Sequence, residues 1–399
     1  MEVSSKPVKS SKRKGFTLIE IIIVLSILAI LMGIAVPMIY RQLASSAEQA
    51  TKEEMENLKK SFIGDPEKVQ NGVRTDFGAI GDWGGLLPSL QALVEAQTPA
   101  WSYDKEKKAG AGWKGPYISG EEGEYLLDGW GNEYVYSTAD YTNGKGELVD
   151  GKIVSYGPSK AVGGGDDLTI EILKRETTTK VFGYIRDSGG NYLFKASVTI
   201  FFPQNGELFQ QSCLTDTKGY YEFSSIPFGI RSVQAEPKLV YMKDSAKAIG
   251  NEWQNVEFKV GNFSEGDITI NSLKAEYVVT PAAWYRALQI GGSTKWKAAG
   301  GGKDGKDGKD GKGSGDTVTF SSYTLAGTGV KREPCTVYIE SSEAQIPDIY
   351  IAGGGNITVF GLNDFRDKAK GGAFVDMTGV NFTVTFSDGS VINFTTQGG

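Results

Sequence analysis

One carboxylate, Glu20, stands inside an otherwise apolar run that begins directly after a basic patch, in KRKGFTLIEIIIVLSILAILMGIAVP at residues 12–37. Hydrocarbon penalises an unpaired carboxylate by about 2.5–3.5 kcal/mol, so Glu20 needs a partner. Asp166 and Asp167 form a second cluster of polar groups, directly behind the glycines Gly163, Gly164 and Gly165. The thiols Cys213 and Cys335 form a third. The chain contains no His, which removes His-based triads and His metal ligands, and two Cys are too few for a zinc cluster. Nowhere does a nucleophile stand with a base, so the chain reads as non-enzymatic.

The elements that position these groups follow from length and patterning. At 399 residues the chain has room for about two to three domains. Its 53 Gly suggest many turns and short strands. The first fifteen residues carry a net charge of +4, so the remainder stands at −10 against −6 overall. An acidic body argues against nucleic acid as a partner. From Phe16 to Tyr40 only Thr17, Glu20, Ser26, Gly33 and Pro37 interrupt the apolar run. About 22 such residues span about 33 Å of helix, enough for one bilayer crossing. The basic patch should stay in the cytoplasm, which places everything after Tyr40 outside it. The helix should continue to Gly64-Asp65-Pro66, with Glu48, Lys52, Glu56 and Lys60 as an exposed i,i+4 ladder. Leu43, Ala47, Ala50, Met55, Leu58 and Phe62 are expected on the packing face.

The stretch GFTLIE, Gly15–Glu20, resembles the prepilin-peptidase signature of type IV pilins and type II secretion pseudopilins. That resemblance implies cleavage between Gly15 and Phe16, N-methylation of Phe16, and pairing of its new ammonium with Glu20 of a neighbouring copy. Pro37 falls where many pilins carry a helix-loosening proline. Beyond the helix, DFGAIGDWGGLLPSLQAL, GWKGPYI, LLDGWGNEYVYST and GKIVSYGPSKAVGGGDDLTIEI follow in order. Their order is similar to that in the heads of major pseudopilins, which carry a helix after the Leu-Pro element and often bind Ca2+ in the last loop. The resemblance implies Asp166 and Asp167 as carboxylate ligands and Ser155 as a carbonyl donor. Ser159 stands where the family commonly has another acid, so affinity should fall. A glycine loop capped by solvated aspartates is the competing reading.

In residues 176–275, TKVFGYIRDSGGNYLFKASVTIFFP reads as a hairpin around Ser-Gly-Gly. With the T-D-x-x-G and I-P-x-G stretches that follow, it resembles carboxypeptidase-regulatory-like domains, which are small β-sandwiches. Asp187 and Asp216 read there as turn formers. Residues 276–399 suggest a second β-sandwich, with a hairpin at Asp388-Gly389. The Gly-Lys-Asp repeat at 300–315 is too short and proline-free for a collagen-like trimer and reads as an exposed loop. Cys213 and Cys335 fall in separate expected domains; an interdomain disulfide and two packed free thiols both fit.

The expected fold class is therefore α+β. A leader at 1–15 precedes a long helix at 16–64 (16–40 transmembrane), a pseudopilin-like head at 65–175 and two antiparallel sandwiches at 176–275 and 276–399. The expected function is a structural subunit of a type IV pilus-like filament or a type II secretion pseudopilus. The alternative is a minor pilin-like adhesin or a surface- or carbohydrate-binding subunit. Expected partners are further copies of itself, prepilin peptidase, the inner-membrane assembly platform and minor pseudopilins. The subunit should reside in the inner membrane first and in a periplasmic or extracellular filament afterwards.

Overall fold

The computed structural model describes residues 17–119, 123–138, 140–187, 190, 192–298, 310–340, 343–351 and 356–399. It is α+β: a 46-residue helix, Leu18–Ile63, precedes many mostly antiparallel strands. Pro37 lies within the helix without ending it. Gly64 ends it at a φ of +79°, and its N–H donates to Lys60 O over 2.7 Å. Every residue from Leu18 to Ser46 is exposed. The buried face starts later than the pattern suggests. Thr51, Met55, Leu58 and Phe62 are buried, while Leu43 and Ala50 remain exposed. Of the ladder, Glu48 and Lys52 pair at 2.5 Å, whereas Lys60 turns to Asp65 at 3.5 Å.

Two compact units make up the chain. The first comprises Met1–Leu58, Gly120–Tyr136 and Ile153–Ile170; the second comprises Lys59–Ser119, Ser137–Lys152 and Glu171–Gly399. In the second unit, the expected helix after Leu87-Pro88 is only a 3-10 turn, Gln91–Leu93. A short helix, Gly78–Trp83, contributes Ile80, which joins Phe77 in one apolar core with the strands that follow.

Those strands build two sandwiches. The first has one sheet in the order Glu207–Leu214, Ser197–Gln204, Gly229–Glu236, Cys335–Ile339. Its other sheet centres on Thr178–Asp187, which pairs antiparallel with Tyr220–Pro227 and parallel with Glu343–Gln345 and Ile349–Ile351. Thr179, Val181, Gly183 and Ile185 point inward at a period of two, which is why this segment is a half-buried strand. Around Ser-Gly-Gly the chain does turn back on itself, with Arg186 opposite Tyr192 in an antiparallel bridge and Leu193 N–H donating to Ile185 O at 3.0 Å, but the pairing is short because Ser197–Gln204 goes on to the opposite sheet. The crossing is pinned by Thr215, whose hydroxyl donates to Leu193 O at 2.5 Å and accepts from Ala196 N at 2.9 Å.

The second sandwich takes a seven-stranded sheet, running from Ser293–Lys297 through Asn356–Asn363 and Asn255–Asn262 to Gln397–Gly398. It faces a sheet of Thr317–Leu325, Ile268–Tyr277, Asn381–Phe386 and Val391–Thr395. Aromatic rings fill its core; Phe258 and Phe394 have centroids 4.7 Å apart, and Phe382 and Phe394 5.3 Å. The Asp388-Gly389 hairpin is present, with Gly389 at φ +85°. The two sandwiches interleave along the chain. Strands from 239–277 already belong to the second, and 335–351 return to the first. Of the Gly-Lys-Asp loop, only residues from Asp310 onward fall among the described residues.

Candidate functional site

At the start of the helix, Thr17 and Glu20 satisfy each other. The Thr17 N–H and hydroxyl donate to Glu20 Oε2 at 2.8 and 2.9 Å, and the Glu20 N–H donates to Thr17 Oγ1 at 3.3 Å. This is a capping box, in which two otherwise orphaned backbone donors find side-chain acceptors. The T-x-x-E spacing carried that signal, although the sequence reading assigned Glu20 only to a neighbour's amine. Ser26 is likewise satisfied within the helix, donating to Ile22 O at 2.8 Å. Gly15 and Phe16, the residues assigned to cleavage and methylation, lie outside the described residues. Around the capping box the surface is apolar and bare, with Leu18 78% and Ile19 62% exposed.

The first unit also contains a buried centre that sequence reasoning missed. Asp128 is 5% exposed and collects Trp130 N–H (3.0 Å), Asn132 N–H (2.8 Å), Asn132 Nδ2 (3.2 Å) and Ser155 Oγ (2.6 Å). The D-G-W-G-N spacing was its signal, since an aspartate caps the amides that follow it in a turn. Gly129 N–H donates to Thr51 Oγ1 at 2.9 Å, and a Cβ on Gly129 would lie 2.3 Å from Ala47 O. Only glycine allows this turn to back onto the helix.

The side chains of all three residues assigned to calcium already take part in hydrogen bonds. Ser155 commits its hydroxyl to Asp128. Asp166 accepts Ser159 N–H at Oδ2 and Ser159 Oγ–H at Oδ1, both at 2.8 Å, and these bonds hold its carboxyl below the usual range. Asp167 accepts Gly163 N–H at 2.8 Å, while its Oδ1 is buried without a partner. A Cβ on Gly164 would meet Asp166 Oδ1 and Ser159 Oγ at 2.5 Å and Ala161 O at 3.2 Å, so glycine keeps a small oxygen-lined cradle open. Among the described residues, no three His, Cys, Asp or Glu side chains converge as metal ligands. Ca2+ takes six to eight oxygens, so this set fits it only as a poor site. Ser159 bridges the loop through both Asp166 carboxylate oxygens.

In the second unit the W-x-G-P-Y loop is anchored by Trp113, whose Nε1 donates to Ala92 O at 2.7 Å. Arg231 is fully buried and ties the Gly78–Trp83 helix to the first sandwich. Its guanidinium donates to Gly81 O at 2.8 Å, Pro227 O at 3.0 Å and Ile230 O at 3.0 Å, and also to Phe228 O. Burial pulls its pKa down, with the charge of Asp82 opposing. Asp216 forms a turn, accepting Lys218 and Tyr220 N–H at 2.7 and 2.9 Å.

Cys213 and Cys335 are free. They lie on the two edge strands of one sheet rather than in separate domains, with two strands between them. Three strand spacings come to about 14 Å, too far for a disulfide without rearrangement.

With a prokaryotic methylation signal ahead of a long, bare apolar helix, the N-terminal part of the chain is type IV pilin-like. The family described as the prokaryotic N-terminal methylation motif matches residues 10–36. No curated protein matches the chain. Among solved structures, a putative carbohydrate binding protein from Bacteroides uniformis is similar at 8% identity, over 55% of this chain and 99% of that one, with a TM-score of 0.22. The full-length major pilin SpaD from Corynebacterium diphtheriae is similar at 11% identity, over 56% of this chain and 65% of that one, with a TM-score of 0.20. At these identities and scores the likenesses carry no argument.

Proposed function

We propose that the chain is a non-catalytic structural subunit of a type IV pilus-like filament or a type II secretion pseudopilus. Prepilin peptidase cuts between Gly15 and Phe16, Phe16 is N-methylated, and the exposed helix then packs against further copies while the β-rich body is displayed. The observation that carries this reading is the methylation motif at 10–36, followed by apolar helix that the protomer leaves bare to Ser46. A free amine at Phe16 would compete with Thr17 for the Glu20 carboxylate, so a neighbour's ammonium takes over a group that the capping box holds in the monomer. The inner-membrane assembly platform and minor pseudopilins are the partners this mechanism requires. Calcium would bind the Asp166–Asp167 loop only weakly, with Ser155 O and water completing the shell.

A second reading is an adhesin or a surface- or carbohydrate-binding subunit of the same filament class. An open aromatic cleft in the second unit favours it. Intact mass and N-terminal sequencing of the purified subunit test the main proposal: the chain should begin at N-methylated Phe16. A chain that begins at Met1 overturns it.

A further inference from the structure

A cavity of about 360 Å³ opens in the second unit, beside the short helix Gly78–Trp83. Its wall is the hairpin of Ser102–Asp104 and Ala109–Ala111, in which Tyr103 stands opposite Gly110. Trp101 and Tyr103 are two apart on this edge and therefore share a face. Their rings lie 6.2 Å apart and are inclined by only 23°. Both are open to solvent, Trp101 at 37% and Tyr103 at 49%. Gly110 lets the indole lie against the backbone; a Cβ there would be 2.7 Å from Trp101 Cζ2. The platform is held rather than floppy, because Trp101 N–H donates to Trp113 O at 2.9 Å and Trp113 N–H donates to Pro99 O at 2.9 Å. Exposed, nearly parallel aromatic rings are costly to leave bare, and here only the Gly110 backbone and the exposed Lys114 side chain lie against Trp101.

The rim identifies the ligand chemistry. Lys114 sits 4.9 Å from the Trp101 ring centroid and 3.8 Å from Asp82, and its side chain is 57% exposed. Asp76 is paired with Lys68 at 2.8 Å, and Lys108 with Glu333 at 3.0 Å. The Tyr117 hydroxyl, which accepts Lys114 N–H at 3.0 Å, still has its proton to donate. Acids and bases thus balance, and each charge already has a counter-charge. An anionic or cationic ligand would gain little from such a rim. A nucleic acid would need an uncompensated positive groove beside its stacking rings, and the chain is acidic. A neutral polyol fits instead. Its C–H faces lie on the rings, and its hydroxyls both donate and accept among Asp82, Lys114 and Tyr117. We infer that this cleft binds a neutral saccharide, with Trp101 and Tyr103 as the stacking platform. The inference deepens the adhesin reading but places the site on the hairpin beside the W-x-G-P-Y loop rather than in the C-terminal strands.

The test uses the full chain in detergent micelles. Tryptophan fluorescence is titrated with cellohexaose, mannohexaose and xylohexaose, and in parallel with polygalacturonate and oligo-dT. The expected result is saturable binding of at least one neutral hexasaccharide, weakened at least tenfold by Trp101→Ala and by Tyr103→Ala. Because Trp101→Ala removes a reporter ring, the variants are compared by affinity electrophoresis in gels containing the neutral polymer that binds. Trp101→Phe, which keeps a ring, should retain most of the binding, and Tyr350→Ala, at an exposed aromatic elsewhere, should retain all of it. Absence of any neutral-sugar binding, tighter binding of polygalacturonate or oligo-dT, or wild-type binding by Trp101→Ala would each overturn the inference. Filament yield is scored separately, so a failure of assembly is not read as a failure of the cleft.

Discussion

The two halves of the Leu18–Ile63 helix share one secondary structure and differ in everything that gives it a partner. Up to Ser46 its residues are exposed, including a nearly continuous apolar stretch, and its only carboxylate before that point is satisfied by Thr17. From Ala47 onward the helix is fitted into the folded body: Thr51 takes the Gly129 amide, and Leu58 and Phe62 are fully buried. The difference shows that a helix can carry two independent jobs in series. Packing fixes the second half within the protomer, while the first half is apolar and bare, as the proposed insertion and assembly would require.

The largest effects should come from breaking the docked half. Phe62→Ala should destabilise the body by about 3–5 kcal/mol, as expected for emptying a filled core site. Ile23→Ala should leave the body's melting midpoint unchanged while lowering filament yield. Equal midpoint losses in both variants would erase the distinction between the halves. Next in size, Gly129→Val drives a side chain into the Ala47 carbonyl and should cost about 1–3 kcal/mol. Protection of amides around Thr51 in hydrogen exchange should fall with it. A Gly129→Val chain that exchanges as wild type would show that this contact does not hold the helix.

Sharpening the exposed half needs assembly as the readout. Glu20→Val should leave the body's midpoint unchanged and insertion intact, but reduce filament formation. Thr17→Ala removes only the capping hydroxyl, worth about 0.5–2 kcal/mol, and should act more mildly. Wild-type yield from Glu20→Val would refute the charge-exchange mechanism.

The smallest effect concerns the glycine loop. Calcium should raise the melting midpoint only at millimolar concentration, and Asp166→Ala with Asp167→Ala should abolish that shift. The Asp166 carboxyl is held below its ordinary range, first by the Ser159 amide and then by its hydroxyl. Its contribution is therefore present above about pH 3.9 and lost as pH falls through the lowered value. A carboxylate titration by NMR should show Asp166 moving back toward the ordinary value in Ser159→Ala.

Much of this was legible before any coordinates. GFTLIE, the apolar run and the Gly64 stop are local patterns, and so is the Asp388-Gly389 hairpin. The capping box was local too, but Glu20 in hydrocarbon drew attention to a distant partner and away from Thr17, three residues upstream. The failures share a cause. Strands at 335–351 complete both sheets of the sandwich begun at 178, and nothing in their own alternation names those partners. The same non-local pairing cut the Ser-Gly-Gly hairpin short and put the two thiols in one sheet. Trp101 and Tyr103 went unread because a W-x-Y spacing marks a shared face only once the hairpin is known.

The interleaving of the two sandwiches bears on how such a chain can evolve. Modules laid end to end can be shuffled, lost or replaced one at a time. Here a chain shortened after Tyr277 would strip Cys335–Ile339, Glu343–Gln345 and Ile349–Ile351 from the first sandwich, baring strand edges there as well as deleting much of the second. Loss of either half therefore breaks the other, so the two sandwiches can be exchanged only as one piece.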